Sequence, residues 1–534
     1  MGFLDWTIVC LYVSGIVAMS LKVGRNQTSQ EDYYLGGRTI GSWAIALSIL
    51  ATQSSAISLL GTPAFVALKA GGGMIWLQYE FAVPLAMAVL ISFFIPVFYR
   101  LSITTIYEYL EERFGPTARL VLASVFLLGR SLATGVSLYA TAIVLSVPLG
   151  TSLSNTLLLV GGIAILYTTI GGIKADIYSD IIQLIILWIG TLVLVASVWN
   201  ALGDEGYAVT NIPVERVQVF DWSHHGMGDG NTYAFWPMLM GGFFLYLSYY
   251  GCDQSQAQRL LTAPRPPVVQ KALFLNGLLR FPLVLTQCVL GLLLASYITQ
   301  NPDFLKEIPQ GNPDFLVPTF LTSHVMTGLR GIIMASLLAA AMSSLDSALN
   351  SLSAVTLRDF GRYFRNGNIV LPHELFLARG LTVAWGILCT LIGFLFSKSS
   401  STVIELVNMA GSLFYGPVLG VFLLGILTSR TKERDVVAGL ILGVLGNLFL
   451  WRYLPGVSWL WWNPVGCLLT VIFGGGISLL WKGPKTMHLQ EWSLKDKFFR
   501  LPAVYCFLLL VFFVFTIVSS LWLEGSIRRA ILLD

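Results

Sequence analysis

Runs of Leu, Ile, Val, Ala, Phe and Met follow one another almost from end to end of the 534-residue chain, separated by short polar stretches. Each run reaches about 18 residues or more, enough for a helix rising 1.5 Å per residue to cross a hydrocarbon core about 30 Å thick. The pattern predicts helices over 3–21, 41–69, 75–98, 118–147, 153–170, 177–200, 235–260 and 271–298. Further helices are predicted over 324–352, 376–396, 403–428, 436–453, 461–481 and 502–523. The expected fold class is an all-α integral membrane protein of about fourteen spans.

Composition agrees: 55% of residues are hydrophobic and 11% charged, less than half the charge of an ordinary soluble chain. Lys and Arg then test the span map, because they collect in cytoplasmic loops. With the N-terminus outside, about 22 of the 32 Lys and Arg fall on the inner side. The inner loops would hold Lys22, Arg25 and Arg38; Arg259, Arg265 and Lys271; Arg358, Arg362 and Arg365; and the segment from Lys482 to Arg500. The net charge of +4 therefore reflects topology and implies no nucleic-acid partner. Asp5 near the start of the first run, with no basic segment before it, makes that run a retained helix and not a signal peptide. The six cysteines all lie in predicted spans without metal-ligand spacing, so neither disulfides nor zinc is expected. The outer loop over 201–234 carries Asp204, Glu205, His224 and His225, read as solvated.

Two spans are interrupted at corresponding places. In 41–69 the sequence Thr52, Gln53, Ser54, Ser55 and Ser58 precedes Gly61 and Pro63. In 235–260 stand Gly241, Gly242, Tyr246, Ser248, Tyr249, Tyr250, Gly251 and Asp253. Five spans separate the two starts, as in a five-helix unit repeated with inverted topology. The copies would cover 40–200 and 235–428, with an extra helix in 1–25 and three more in 436–523. Gly416, Gly420, Gly439 and Gly443 have the GxxxG spacing of close helix packing.

The segment "AAAMSSLDSALNS" places Ser343, Asp346, Ser347, Asn350 and Ser351 at i, i+3, i+4, i+7 and i+8, one face of a helix. A carboxylate in mid-span costs about 2.5–3.5 kcal/mol, so Asp346 needs a partner, a proton, water or a cation. Asp180 begins the sixth span, whereas Lys174 and Asp176 read as interfacial. Arg130 and Arg280 fall inside spans, and each must find an anion, a carbonyl or a wet cavity; an ion pair with Glu80 or Asp180 is open to either. Hydroxyls and freed carbonyls suit a hard monovalent cation, and no His, Cys and carboxylate cluster suits a transition metal. The composite points to a cation-coupled transporter. With no nucleophile, base and metal constellation, it does not read as an enzyme.

"DYYLGGR" at 32–38, "GGIKADIYSDIIQ" at 171–183, "DQSQAQR" at 253–259 and "LLAAAMSSLDSALNS" at 337–351 resemble motifs of the sodium:solute symporter family, in the same order. The resemblance implies the inverted-repeat transporter fold of five plus five helices. It implies a principal sodium site of Ala51, Ser54 and Ala340 carbonyls with Ser343 and Ser344 hydroxyls. A second cation site would take Asp180, Ser343, Asp346 and Ser347; here Asp346 departs from the serine of the sialic acid branch, so sodium or a proton could serve it. The resemblance further implies a substrate cavity with Gln53, Ser55, Ser58, Gln78, Arg130 and Tyr246, Arg130 matching the carboxylate-binding arginine of that branch. Tyr249 would close the inner gate. Sodium is thus the expected cofactor, a small organic solute and the lipid bilayer the expected partners, and a cell membrane, plasma or inner, the expected location. No obligate protein partner is implied. A proton-coupled carrier and a transporter-like sensor are the competing expectations.

Overall fold

The computed structural model describes residues 2–533, apart from 26, 28, 100, 102, 204–210, 310–311, 362–373, 397–402 and 481–499. Asp204, Glu205, Arg362, Arg365 and nearly all of the 482–500 segment lie outside the described residues.

Helices cover every apolar run. In chain order they are α1 (Phe3–Gly24), α2 (Gln30–Leu35), α3 (Ser42–Gln53), α4 (Ala56–Leu68), α5 (Met74–Phe98), α6 (Pro116–Leu149), α7 (Leu153–Leu202) and α8 (Phe235–Cys252). Then come α9 (Gln254–Leu261), α10 (Pro266–Gln300), α11 (Leu329–Val355), α12 (Glu374–Phe396), α13 (Val403–Leu427), α14 (Glu433–Tyr453), α15 (Trp462–Leu480) and α16 (Arg500–Leu533). Among the described residues, ten helices are long and apolar enough to cross a membrane, or eleven with the bent α3–α4 pair counted as one span. The expected fourteen is not reached by this measure. One reason is that 153–170 and 177–200 join in α7, whose 50 residues would extend about 75 Å if straight, far beyond one bilayer crossing. Gly172 breaks it with φ +58° and ψ −173°, a conformation that a side chain would strain, and the break leaves two arms.

α11 lies at the centre: 89% of its most apolar stretch is buried, against 17% for α16. It packs most extensively on α7, and α1, α3, α4, α6, α9 and α12 also touch it. A helix buried all round can carry polar residues only if neighbouring helices supply their partners. That requirement brings the site together.

The first expected break is found. α3 ends at Gln53, Ser54 takes φ −89° and ψ 73°, and the chain resumes as α4, bent by 52°. The second falls at Asp253, at the end of the 235–260 stretch and not at its glycines. Gly241 and Gly242 instead admit Leu460 and Tyr79 to the surface of α8. Asp253 caps α9, its Oδ1 accepting hydrogen bonds from Ser255 N at 2.8 Å and Ser255 Oγ at 2.6 Å.

Candidate functional site

Where α3 breaks, the carbonyl of Ala51 reaches α11. The Ser343 hydroxyl lies 3.1 Å from the Ala51 carbonyl and 3.1 Å from that of Ala340. Ser344 Oγ donates to the Ala341 carbonyl at 3.1 Å and also lines the central cavity. Ser54 donates its N–H to Leu50 and Ala51, and its hydroxyl accepts from Arg280 Nη1 at 3.0 Å. Ala51, Ala340 and Ser343 thus meet at one junction of α3 and α11, whereas the Ser54 hydroxyl turns to Arg280 and the Ser344 hydroxyl bonds within its own helix. Neutral oxygens of this kind match a hard monovalent cation.

One turn further along α11 the structure departs from expectation. Arg259, placed by hydropathy in an inner loop, is wholly buried on α9. Its Nη2 and Nε donate to Asp180 Oδ2 at 2.9 and 3.3 Å, and its Nη2 also donates to Ser347 Oγ. Ser48 Oγ approaches the same Asp180 oxygen at 2.5 Å, and Ser347 Oγ donates to the Ser343 carbonyl at 2.6 Å. A guanidinium therefore sits between Asp180 and Ser347, where the sequence led us to expect a second cation. Asp346 stands apart from it, accepting from Tyr167 OH at 3.0 Å and from Ser347 N at 2.5 Å. Asp176 is a second correction: it is not interfacial but fully buried, bonded to Asn350 Nδ2 at 2.8 Å.

A cavity of about 160 Å³ opens beside the α3–α4 break. Gln53, Ser55, Ser58, Arg130, Tyr246 and Tyr249 all line it, joined by Thr52, Glu80, Arg280 and Tyr415. Gln78 does not. Its amide is bound to the Ile75 and Tyr233 carbonyls and to Asp221 N, tying α5 to the outer loop. Tyr249 OH accepts from Gln256 Nε2 at 2.9 Å, and its ring lies 6.1 Å from that of Tyr415.

The two arginines that hydropathy places inside spans separate. Arg280 pairs with Glu80 through two hydrogen bonds, Nε to Oε2 at 3.0 Å and Nη2 to Oε1 at 3.2 Å, so its charge is satisfied within the fold. Arg130 pairs with neither Glu80 nor Asp180; Asp253 lies 3.7 Å away, the Tyr249 and Tyr415 side chains hydrogen-bond its guanidinium, and among the described residues its Nε has no hydrogen-bond partner. The vicinal histidines also differ from a fully solvated pair, because His224 Nδ1 lies 2.9 Å from Asp221 Oδ2. Sequence reading missed Arg259, Tyr167 and Tyr415. The one signal for Arg259 was the need of Asp180 for a cation.

Residues 33–443 match the model of the sodium:solute symporter family. The chain is 31% identical over 449 residues to sodium-coupled monocarboxylate transporter 2 of Danio rerio, covering 83% of this chain and 70% of that one. It is 29% identical to the sodium/sialic acid symporter of Aliivibrio fischeri, covering 89% and 92%. Among solved structures, a substrate-bound, outward-open sodium-coupled sialic acid symporter superposes with a TM-score of 0.80 at 24% identity, over 90% of this chain and 98% of that one. A nucleobase-cation-symport-1 transporter in a closed conformation gives 0.56 at 12% identity, over 85% and 95%. These likenesses give the fold of the transporter core. The chain belongs to the sodium:solute symporter family, and it is a multi-pass membrane transporter that couples sodium to a small organic solute, not an enzyme.

Proposed function

We propose that this symporter imports a solute bearing a carboxylate, with sodium held at the α3–α11 junction. The observation that carries the reading is Arg130: a buried guanidinium on the cavity wall, with a free Nε and only a loose anion at 3.7 Å. Its hydrogen-bonding neighbours Tyr249 and Tyr415 are neutral, so a buried guanidinium here gains from a ligand anion, and its geometry favours a carboxylate taken through two parallel hydrogen bonds. The names of the relatives, a monocarboxylate transporter and a sialic acid symporter, fit that chemistry.

Sodium would be held by the oxygens of Ala51, Ala340 and Ser343, the Ser343 hydroxyl keeping its one hydrogen and turning it away from the carbonyls, with Ser54 and Ser344 completing the shell. Holding these atoms together fixes the broken end of α3 against α11. That fixes Gln53, Ser55 and Ser58, on the same broken segment, toward the solute. Coupling then means that the cavity is complete only with the ion bound. The five-helix units over 40–200 and 235–428 would rock against each other to release both ligands inward, past Tyr249.

Each sodium crossing 100 mV contributes about 2.3 kcal/mol, and a tenfold gradient about 1.4 more. A monoanion moving with one sodium gains nothing from voltage, so a second cation would add to accumulation. The test is uptake into proteoliposomes across short monocarboxylates, sialic acids and neutral sugars, with and without sodium at constant pH. Sodium-dependent uptake of a carboxylate, abolished in Arg130→Ala, is expected. Uptake of a neutral sugar alone, indifferent to Arg130→Ala, would overturn the carboxylate; uptake without sodium, driven by a pH step, would instead favour the proton-coupled carrier.

A further inference from the structure

Asp176 lies one turn before Asp180 on the second arm of α7, with a relative exposure of 0%, and Asn350 on α11 is equally buried. One hydrogen bond joins them, from Asn350 Nδ2 to Asp176 Oδ2 at 2.8 Å. Their remaining oxygens, Asp176 Oδ1 and Asn350 Oδ1, have no hydrogen-bond partner among the described residues. Both are acceptors. Leaving two buried acceptors unpaired costs about 1–3 kcal/mol each, and more when one is charged. A single donor hydrogen is what the pair lacks. A proton on Asp176 Oδ1 would supply it, by donating to Asn350 Oδ1 while Nδ2–H still donates to Oδ2, as in a cyclic acid–amide pair.

The charges around it lead to the same conclusion. Asp176, Asp180 and Asp346 are all fully buried, and Arg259 is the basic group that acts on all three. Asp180 holds that guanidinium, and Asp346 has the Tyr167 hydroxyl and the Ser347 N–H. Asp176 is left with one neutral donor. Facing it are Asp180 on its own arm, Tyr167 on the other arm of α7, Tyr33 on α2, Asp346 on α11 and Arg259 on α9; Lys174, nearest in sequence, is partly exposed. Three buried carboxylates around one guanidinium cannot all ionise at small cost.

We propose that Asp176 and Asn350 form a proton-binding site of this transporter, occupied while α7 and α11 are packed together. It is separate from the oxygens at Ser343 and independent of the solute's identity. A change that parts the two helices would admit water and release the proton, making protons ligands of the cycle alongside sodium.

Infrared difference spectroscopy on the purified full-length protein in lipid, recorded without solute, tests this apart from transport. At neutral pH the wild type should show the C=O stretch of a buried carboxylic acid, lost in Asp176→Asn and shifted in Asn350→Leu, which removes the N–H donor to that carbonyl. Alkaline titration should remove the band reversibly and lower the thermal midpoint. Asp176→Asn, whose carboxamide supplies both the donor and the acceptor, should lose that dependence. Absence of the band from the wild type, or a band unmoved by Asn350→Leu, would overturn the proposal. So would an Asp176→Asn protein that keeps the band or the wild-type pH dependence of its midpoint.

Discussion

Arg130 Nη1 and Asp253 Oδ2 stand 3.7 Å apart, close enough to attract and too far to hydrogen-bond. The pair sits between the central cavity and a second, apolar cavity of about 70 Å³ bounded by Tyr107, Phe126 and Phe414. The other oxygen of Asp253 caps α9. Asp253 therefore competes with any solute carboxylate for the guanidinium. Removing its charge should strengthen anion binding. Asn caps a helix as well as Asp, so Asp253→Asn keeps the cap. We expect the Kd for a carboxylate solute to fall roughly tenfold, about 1.4 kcal/mol, with little change for a neutral analogue. Isothermal titration of the purified protein checks both.

The Ser343 hydroxyl is the one side-chain group here that touches both the Ala51 and the Ala340 carbonyls. Ser343→Ala should raise the sodium concentration for half-maximal uptake roughly tenfold or more, a loss of at least about 1.4 kcal/mol of ion binding. Solute affinity measured at saturating sodium should recover much of its wild-type value. A sodium titration of initial uptake rates gives the first, and an unchanged titration would remove Ser343 from the ion site.

These two residues also mark what could be read from the sequence. Ser343 and Asp346 were visible because polar residues at helical spacing stand out on an apolar background, and the α3 break because Thr52 to Ser55 precede Gly61 and Pro63. Arg259 was hidden because hydropathy assigns a basic residue near a span's end to the loop, whereas its guanidinium follows Asp180 inward. Asp176 was hidden for the same reason. Gln78 shows the opposite error: the family resemblance implied a cavity residue, yet its amide serves the outer loop. Gly241 and Gly242 permit close packing, and periodicity cannot separate that use from a break about three turns away at Asp253.

Glu80 and Arg280 form a buried pair with two hydrogen bonds, and Arg280 also holds Ser54. Breaking one side leaves a buried charge without its counter-ion. Glu80→Gln should lower stability by about 3–5 kcal/mol. The double variant Glu80→Met with Arg280→Met should regain most of it, because apolar groups of similar volume carry no desolvation penalty. Thermal unfolding in detergent separates the two. A Glu80→Gln midpoint equal to that of the wild type would show that the pair is hydrated.

Gly416 on α13 faces the backbone of Asn463 on α15, where a Cβ would overlap the Asn463 carbonyl oxygen. Backbone cannot yield as a side-chain tip can, so Gly416→Ala should cost about 1–3 kcal/mol. Gly476, near the end of α15, has nothing within 4 Å of the same position. Gly476→Ala should leave stability unchanged or raise it by up to about 1 kcal/mol through helix propensity. Thermal midpoints that move together in the two variants would remove packing as the reason for the glycine at 416.

Asp221 joins the outer loop to α5 and α8. Its N–H donates to Gln78 Oε1 at 3.2 Å, its carbonyl accepts from Phe235 N at 2.9 Å, and its carboxylate accepts from Ser223 N and Oγ at 3.1 and 2.7 Å. Burial pushes its pKa up, but the hydrogen bonds from Ser223 and His224 outweigh burial and hold it below the usual carboxylate value. A carboxyl with a depressed folded pKa contributes stability above its unfolded pKa of about 3.9 and loses that contribution as pH falls through the folded value. The loop should therefore stay docked from neutral pH down to about pH 4 and loosen only below it. Asp221→Ala should loosen it at every pH, by about 1–3 kcal/mol for the bonds left unmade. Limited proteolysis of the 222–232 segment reads the docking directly: cleavage of the wild type should be slow at neutral pH and that of the variant fast. Equal cleavage at neutral pH would mean that the Gln78 and Phe235 backbone bonds hold the loop without the carboxylate.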